Sequence, residues 1–413
     1  MATSTQGILT KMFLKKEDIL GAAGEREIIF WGCSEDWVPK SKKLLPFVVL
    51  AVDINWERIG EKWMDLKVTS PSKILEKRDQ FFIVITTGSY ESVEEVLQIS
   101  GWQPGLDYCY SPVYLEFKNS RSVSEVSGKL LVASSDYGVS GDYRSSRLGG
   151  GLYQISFNCG YITEINRLSE GSYRQGQFSD GAYYTIDYVK NEFQVFDSDW
   201  NQAENILLNL RHYTGISVDN GYAYLISSAY DCIEILDIKY KKIIHRRQFS
   251  DRSGKRGEGL HHLNDCCFRD GVLFFSYFSR SGVWRNEIFD GGISFFDLKE
   301  DRILDALGGL FQPHSPTMIN DQLHFCESPR GYVYASSWER LCSFPGFVRG
   351  LDYRNGRYFV GQSETLYMKR AKNIPNVMMN TGVYCVDSSS GSARFLAIDG
   401  IKNVHSVHAI DCF

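Results

Sequence analysis

The sequence has no excess of basic residues, no long apolar run and no sign of a leader segment. Its 45 lysine and arginine residues face 50 aspartate and glutamate residues, and the net charge of -5 argues against nucleic acid as a partner. No run of about 18 apolar residues occurs, so no membrane span is expected. The N-terminal residues lack the continuous apolar core of a signal peptide. These absences predict a cytoplasmic protein.

The chain also lacks the short motifs of the common enzyme classes. None of its ten cysteines forms a CxxC pair, which argues against a zinc ribbon or a thioredoxin-type site. The GxSxG turn, the HExxH motif and the phosphate-binding P-loop do not occur. These absences lower the expectation of a familiar enzyme class without excluding an unfamiliar one.

Aromatic residues and glycine are abundant instead. Aromatic side chains make up 14% of the sequence, and such side chains favour β-strands. The 37 glycines outnumber the 10 prolines, which indicates many tight turns and no proline-rich linker. Hydrophobic residues at 43% and charged residues at 23% are typical of a folded globular chain.

The first 120 residues alternate apolar strand patterns with short helical patterns. EREIIFWGC, PFVVLAVDINW and FFIVITTGSY predict buried strands, and ESVEEVLQISGW predicts an amphipathic helix. This alternation predicts an α/β Rossmann-like domain in residues 1–120. Gly32 at the first turn and Asp53 after the second strand are its candidate cofactor-binding residues. The turn lacks GxGxxG, and Glu35 and Asp36 would repel a phosphate, so no particular cofactor is predicted.

Residues 28–112 resemble the small Rossmann-like domain that is common in bacterial surface-polysaccharide biosynthesis proteins. The resemblance lies in the segments VDINWERIGEKW, SPSKIL, ITTGSYESVEEVL and GWQPGLDY. In relatives such as the front domain of some sugar acetyltransferases, this module holds a nucleotide-sugar. The resemblance therefore implies an α/β fold and a nucleotide-sugar ligand, although the acidic first turn departs from the family pattern.

From Gly128 onward the pattern changes to short strands separated by Gly, Asp and Asn turns. A turn followed by a β run returns in SDGAYYTID, VDNGYAYLIS, FRDGVLFFSY, INDQLHFCES and YRNGRYFVGQ. A period of roughly 35 to 55 residues indicates four-stranded propeller blades, whereas two stacked β-sandwiches would need no regular repeat. The last strand, VHSVHAIDCF, and the strand from Lys129 each lack a neighbour. Pairing them predicts an all-β propeller of about six blades over residues 121–413, closed by the C-terminal strand.

Equivalent positions of the blades converge, because the first strand of every blade lines the central channel. Counting back seven residues from each first turn gives a ring of Arg174, Thr214, Asn264, His314 and Arg349. The parallel between HAIDCF and RGLDYR adds His408. Most of these side chains can donate hydrogen bonds and none is an acid, so the ring predicts an anion-binding funnel. Polar residues at a channel mouth can also simply hold water or cap strands.

The ring residues have distinct expected roles. The predicted substrate-binding residues are Arg174, Asn264, Arg349, His262 and Thr214, with the two arginines on the anionic group. The predicted catalytic residues are His314 and His408, which would act as acid or base if a reaction occurs. The Asn264-Asp265 pair resembles the ligands of metal-dependent lactonase propellers. A regular strand would turn Asp265 away from Asn264, so no metal site is predicted.

Two segments of the repeat resemble a family of uncharacterised bacterial β-propeller proteins, the DUF4915 type. They are QPHSPTMINDQLHFCESPRGYVY and FPGFVRGLDYRNGRYFVGQSE. The matching residues are His314, Ser315, Pro316, Ser328, Gly331, Pro345, Gly346, Arg349, Gly350, Leu351, Val360, Gly361 and Ser363. The resemblance implies the propeller fold and supplies no settled chemistry. Two residues of its pattern, His314 and Arg349, are also members of the ring.

Three functional hypotheses follow. The leading one is a cytoplasmic protein of bacterial surface-polysaccharide or glycan metabolism that binds or acts on an anionic sugar or nucleotide-sugar in the propeller channel. Its partners would be this small molecule and a protein of glycan assembly. The second is a non-catalytic scaffold for a biosynthetic partner, since propellers often serve as rigid platforms. The third is a metal-dependent lactonase or hydrolase.

Overall fold

The computed structural model describes most of the chain, namely residues 14–114, 126–137, 145–252, 257–364 and 376–412, together with Met12 and Val123. The chain divides into two compact units, Met1–Ser122 with Phe413, and Val123–Cys412. The predicted boundary between residues 120 and 121 lies outside the described residues. Across the described ranges, every helix is too short or too polar to cross a membrane.

The N-terminal unit contains one six-stranded sheet. Its strands are β1 (Glu27–Trp31), β2 (Leu50–Val52), β3 (Lys62–Trp63), β4 (Leu66–Thr69), β5 (Phe81–Ile85) and β6 (Tyr108–Tyr110). The α-helices in its described part are α1 (Lys16–Ala23), α2 (Trp37–Leu44) and α3 (Tyr90–Ile99). The strand order is β3-β4-β2-β1-β5-β6, and β3 runs antiparallel to β4 while the other pairs are parallel.

The prediction of an α/β Rossmann-like domain in residues 1–120 is wrong. The sheet is mixed and has little helix around it: between β2 and β5 the chain forms the β3–β4 hairpin and a 3-10 turn, Pro71–Lys73. A regular α/β alternation would place a crossover helix there. Leu66 and Val68 are buried and alternate with more exposed neighbours, which is the two-residue period of a strand. This segment therefore extends the sheet instead of covering it.

The C-terminal unit is a β-propeller of six four-stranded blades, which confirms the predicted number. Blade 1 contains β30 (Ser406–Cys412), β7 (Gly128–Ser134), β8 (Gly151–Asn158) and β9 (Tyr161–Glu170). Blade 2 contains β10 (Tyr173–Ser179), β11 (Ala182–Asp187), β12 (Glu192–Phe196) and β13 (Gln202–Leu207). Blade 3 contains β14 (Tyr213–Asp219), β15 (Tyr222–Ser227), β16 (Cys232–Asp237) and β17 (Lys242–Gln248).

The remaining blades follow the same order from the innermost strand outward. Blade 4 contains β18 (Leu263–Arg269), β19 (Val272–Tyr277), β20 (Gly291–Asp297) and β21 (Arg302–Leu310). Blade 5 contains β22 (Pro313–Ile319), β23 (Gln322–Glu327), β24 (Tyr332–Ala335) and β25 (Arg340–Ser343). Blade 6 contains β26 (Phe347–Arg354), β27 (Arg357–Ser363), β28 (Gly382–Asp387) and β29 (Ala393–Ala397).

The innermost strands form a closed circle. Each contacts the innermost strand of the next blade, and β30 contacts both β26 and β10. Blade 1 takes its inner strand from the C-terminus, because β30 pairs antiparallel with β7. The first turn of blade 3 is Asn220-Gly221, with φ values of 48° and 79°, and blades 2, 4, 5 and 6 repeat this positive-φ pair at their first turns. Such type I′ turns match the twist of the flanking strands, which explains the recurring Asn/Asp-Gly signals in the sequence.

Candidate functional site

Blades 2 to 6 share an irregularity at the start of the inner strand. The register with the second strand shifts in every one of them, at Tyr173/Gly176, Tyr213/Gly215, Leu263/Cys266, His314/Thr317 and Val348/Leu351. A bulge interrupts the two-residue alternation, so neighbouring side chains can lie on the same side. Blades 2 to 6 thus present a bulged segment at one height of the channel, and this is where five of the six predicted ring residues lie.

Two arginines of the ring meet at one histidine. Arg174 donates from Nη1 to Nε2 of His405 at 2.9 Å, and Arg349 donates from Nη2 to the same nitrogen at 2.7 Å. Ser135 Oγ lies 2.5 Å from that nitrogen, and Arg349 Nε donates to the Val404 carbonyl at 3.2 Å. A guanidinium group has no acceptor atom, so Nε2 carries the lone pair and His405 is neutral. The two cations are therefore held beside each other around an uncharged side chain.

His405, not His408, completes the ring. His408 bonds Ser406 Oγ at 2.7 Å, and its ring lies 5.6 Å from the rings of Phe178 and Tyr183. The sequence parallel failed because β30 carries its register shift at Ala409/Asp411, not at the height where the other inner strands have theirs. His408 thus lies against Phe178 and Tyr183, and its role as acid or base stays a prediction. Burial lowers the pKa of His408.

His314 is buried at the channel and stays neutral. Its Nδ1 lies 3.0 Å from the Gln312 carbonyl and 2.7 Å from Ser328 Oγ. A carbonyl only accepts, so Nδ1 carries the proton and Nε2 the lone pair. Burial first, and then the positive charge of Arg349, lower the pKa of His314 well below its ordinary value. No described residue bonds Nε2, which leaves this nitrogen as an acceptor for a hydrogen bond or a proton.

The ring includes an acid, contrary to the sequence prediction. Asn264 and Asp265 are 5% and 2% exposed, so the bulge buries both side chains and Asp265 does not turn to a solvated face. Ser315 donates to Asp265 Oδ2 from its backbone N–H at 2.9 Å and from Oγ at 3.2 Å. Ser315 Oγ also accepts from the Gly350 N–H at 2.8 Å. Burial raises the pKa of Asp265, while Arg349 and the Ser315 bonds oppose that rise.

The other predicted substrate residues occupy different surroundings. Thr214 Oγ1 donates to the Leu263 carbonyl at 3.2 Å and so links blades 3 and 4. Asn264 has a buried side chain that no described residue hydrogen-bonds. The His262 ring packs against Phe278 at 4.3 Å and Trp284 at 4.7 Å. Within the described ranges, no group of three or more His, Cys, Asp or Glu side chains is placed to hold a metal ion.

The candidate residues of the N-terminal unit are engaged in their own turn. Asp53 accepts from the Cys33 N–H at 3.0 Å and from the Asn55 N–H at 2.8 Å, and Arg58 lies 3.7 Å away. Gly32 has φ 109°, and a Cβ at this position would meet Thr87 Cβ at 2.5 Å. Close packing against Thr87 therefore accounts for the glycine. The cofactor role of Gly32 and Asp53 stays a prediction, for which these contacts supply no support.

Replacing His314 with glutamine is expected to reduce the acid sensitivity of folding. Because the folded-state pKa of His314 is lowered below the unfolded value of about 6.5, stability is complete above that value and is lost as the pH falls toward the folded pKa. Each pKa unit by which the folded state lowers His314 corresponds to about 1.4 kcal/mol of unfolding free energy. Urea unfolding between about pH 7.5 and 5 measures this loss. Parallel curves for the two proteins would contradict the prediction.

Several solved structures are similar at low identity. A chain of a nidogen–laminin complex is 12% identical with a TM-score of 0.46, over 68% of this chain and 97% of that one. A luciferin-regenerating enzyme is 12% identical with a TM-score of 0.40, over 56% and 76%. Regucalcin from Agrobacterium tumefaciens, a calcium-binding protein, is 10% identical with a TM-score of 0.40, over 56% and 74%. Similarities this weak carry no argument about what this chain binds.

No curated protein matches the chain in sequence. The family resemblance of the second half is confirmed by a match that begins at the end of blade 2 and includes blades 3 to 6 and the closing strand. Residues 207–412 match the protein family described as Domain of unknown function (DUF4915).

Proposed function

We propose that the propeller channel binds a small anionic sugar, with the acid group on Arg174 and Arg349. The observation that carries this proposal is the meeting of the two guanidinium groups at Nε2 of His405. Guanidinium forks match carboxylate and phosphate oxygens, and such charge-assisted hydrogen bonds are about twice as strong as neutral ones. The arginines come from blades 2 and 6, so a ligand held by both would lie over the closing blade.

The electrostatics of the site support an anion. Both arginines lower the pKa of His314, so their positive charge acts on the interior of the site. Charges of like sign that are held together away from bulk water interact more strongly than in water. Burial raises the pKa of Asp265, and its Oδ2 accepts hydrogen bonds from Ser315. An anionic group between the arginines would accept charge-assisted hydrogen bonds from both guanidinium groups.

The neutral groups of the site support a ligand with hydroxyl groups. His314 Nε2 can accept a hydrogen bond, and the Asn264 amide can both donate and accept. Aromatic faces lie close by, since the Arg174 guanidinium sits 4.0 Å above the Tyr188 ring and that of Arg349 sits 5.8 Å from the Phe347 ring. Apolar ring faces suit the C–H groups of a sugar. A sugar acid, sugar phosphate or nucleotide-sugar fits this combination better than a simple anion.

Replacing Arg349 with alanine is expected to weaken binding at least tenfold, because a hydrogen bond to a charged group contributes about 1.5–3 kcal/mol. Calorimetric titration with glucuronate, glucose 6-phosphate, and UDP-, GDP- and CMP-sugars measures this change. Arg349→Lys keeps the positive charge but lacks the planar guanidinium group, so its affinity should lie between those of the native protein and Arg349→Ala. Arg269→Ala is the control, since Arg269 pairs with Asp270 and Asp321 at an exposed turn.

The same titrations separate the proposal from its alternative. Binding of none of these compounds by the native protein would overturn the anionic-sugar proposal and favour the scaffold hypothesis. Binding that survives Arg349→Ala unchanged would remove the arginine pair from the site. The melting temperature of each variant without ligand distinguishes lost binding from lost folding, because Arg349 also bonds Val404 and His405.

One of the two candidate catalytic residues, His314, lies in the channel site. His314, neutral with its lone pair on Nε2, is the ring member placed to accept a hydrogen bond from a sugar hydroxyl, and its lowered pKa makes it a weak base unless a bound anion raises that pKa. A cytoplasmic setting is supported by the ten free thiols, seven of them buried among apolar side chains. Burial raises the pKa of several of these thiols, including that of Cys232 to about 12, so they behave as small apolar side chains.

A further inference from the structure

We propose that a groove at the other end of blade 2 binds a neutral sugar ring. It is called the Trp200 groove here and is lined by Phe178, Ser179, Asp180, Gly181, Tyr183, Asp197, Ser198, Trp200 and Ile410. Its volume of about 380 Å³ lies within the range of small-molecule sites. Arg174 lies near the start of β10 and Phe178 near its end, so the groove lies about 13 Å along the strand from Arg174.

Aromatic side chains form one wall of the Trp200 groove. The Phe178 ring lies 4.9 Å from that of Tyr183 and 6.1 Å from that of Trp200, and the Tyr183 and Trp200 rings are 5.8 Å apart. Phe178 is nevertheless 43% exposed. An exposed aromatic surface at the edge of a cavity leaves apolar area that a ligand can cover. Stacking of a sugar ring against such a surface would cover it.

The position of Trp200 is fixed by a strained turn. Trp200 has φ 65°, a conformation that costs a residue other than glycine on the order of 1–2 kcal/mol. Asp197 holds the turn, because its carbonyl accepts from the Trp200 N–H at 3.1 Å and its Oδ1 accepts from the Asp199 and Asn201 N–H groups at 2.9 Å. The backbone that carries the indole is thus held in place before any ligand arrives, which lowers the entropy cost of binding.

The charges of the groove select a neutral ligand. Among the described residues that line it, Asp180 and Asp197 are the charged ones. Carboxylate oxygens accept hydrogen bonds from sugar hydroxyls, and they would repel a sugar acid or phosphate. Asp180 is exposed and therefore accessible for such bonds. The groove and the channel thus differ in the sugars that they would take, and the two proposals stand on separate observations.

Blade 5 contains a natural comparison. Trp338 occupies the equivalent turn with φ 63°, and its N–H donates to the Ala335 carbonyl at 3.0 Å as that of Trp200 does to Asp197. Trp338 also packs near two aromatic rings, Phe325 and Tyr334, at 6.4 and 6.3 Å. Ala335 takes the place of Asp197, so the Asp197 carboxylate has no counterpart at that position, although Glu339 stands where Asn201 does. Trp338 therefore serves as a matched control for Trp200.

The test is a fluorine NMR titration of full-length protein labelled with 5-fluorotryptophan, with resonances assigned from Trp200→Phe and Trp338→Phe. Maltotriose, chitotriose and methyl β-glucopyranoside are the probes. We expect at least one of them to move the Trp200 resonance and to leave that of Trp338 in place. Trp200→Ala should weaken binding at least tenfold, whereas Trp338→Ala and Arg349→Ala should not change it.

Asp180→Asn provides a second variant, because it leaves the aromatic wall and the strained turn intact and should still weaken binding severalfold. No movement of the Trp200 resonance with any of the three saccharides at about 10 mM, where even a millimolar Kd gives near saturation, would overturn the proposal. If a lysine-rich peptide moved the Trp200 resonance and none of the saccharides did, the groove would be a peptide site and the proposal would be overturned. Loss of anionic-sugar binding in the channel variants would leave this result unaffected.

Discussion

Removal of residues 404–413 is expected to abolish the native thermal transition of the propeller, or to lower its midpoint by at least about 10 °C. The segment supplies β30, the inner strand of blade 1, which pairs with β7 from Ser406 to Cys412. Val407, Ala409 and Cys412 are buried in a cluster with residues of blades 1 and 6. Burying one valine contributes about 1.5–3 kcal/mol, so several such losses exceed the margin of most domains. Differential scanning calorimetry measures the change.

Two controls test whether the lost stability comes from the missing strand β30. Asp411→Ala changes an exposed residue of the same strand and should leave the transition in place. A synthetic peptide of residues 404–413, added to the truncated protein, should restore part of it by pairing with β7. The restored protein should also regain any anionic ligand, because the peptide carries His405. An unchanged melting temperature after truncation would contradict the role of β30 in closing the ring.

Replacing Arg246 with methionine is expected to destabilise the propeller by about 3 kcal/mol. Glu234 is fully buried and accepts hydrogen bonds from the Tyr213 hydroxyl and, at 2.7 Å, from Arg246 Nε. Methionine keeps the apolar stem of Arg246 but leaves the buried carboxylate without its cation. The value is at the lower end of the range for buried pairs because the Arg246 side chain is 44% exposed to water. Urea unfolding provides the free energy.

Blade 2 supplies the control for this pair. There Gln194 accepts from the Tyr173 hydroxyl at 3.0 Å, and Asn205 stands opposite Gln194 as Arg246 stands opposite Glu234. Adding Glu234→Gln to Arg246→Met should therefore recover most of the lost stability, since a neutral amide needs no cation. If the double variant were as unstable as the single one, an unpaired carboxylate could not be the cause.

Closure of the ring and assembly of the channel site depend on the same segment. His405 lies directly before β30, and it is the residue at which Arg174 and Arg349 meet. Its backbone N–H donates to the Ala133 carbonyl at 2.8 Å, which fixes its position against β7. The anion site that we propose therefore exists only in the closed propeller.

The sequence by itself determined the propeller. Turn pairs such as Asn220-Gly221 recur with the blade period, and two unpaired strand patterns at its ends indicate closure. The same repeat located Arg174, His314 and Arg349 correctly at the bulged height of the channel, because one register applies to blades that share one geometry. Counting within the repeat succeeded where no local motif existed.

Three features were decided only by the tertiary structure, because counting positions within the repeat could not predict them. A bulge buries Asp265 beside Asn264, although strand alternation predicts opposite faces. The closing strand has its own register, so His405 and not His408 joins the arginines. In the N-terminal unit, residues 62–69 pair as strands where a regular α/β alternation would place a crossover helix, because residues 67–69 pair with β2. Each of these outcomes depends on hydrogen-bond partners that are distant in the sequence, and local pattern carries no information about them.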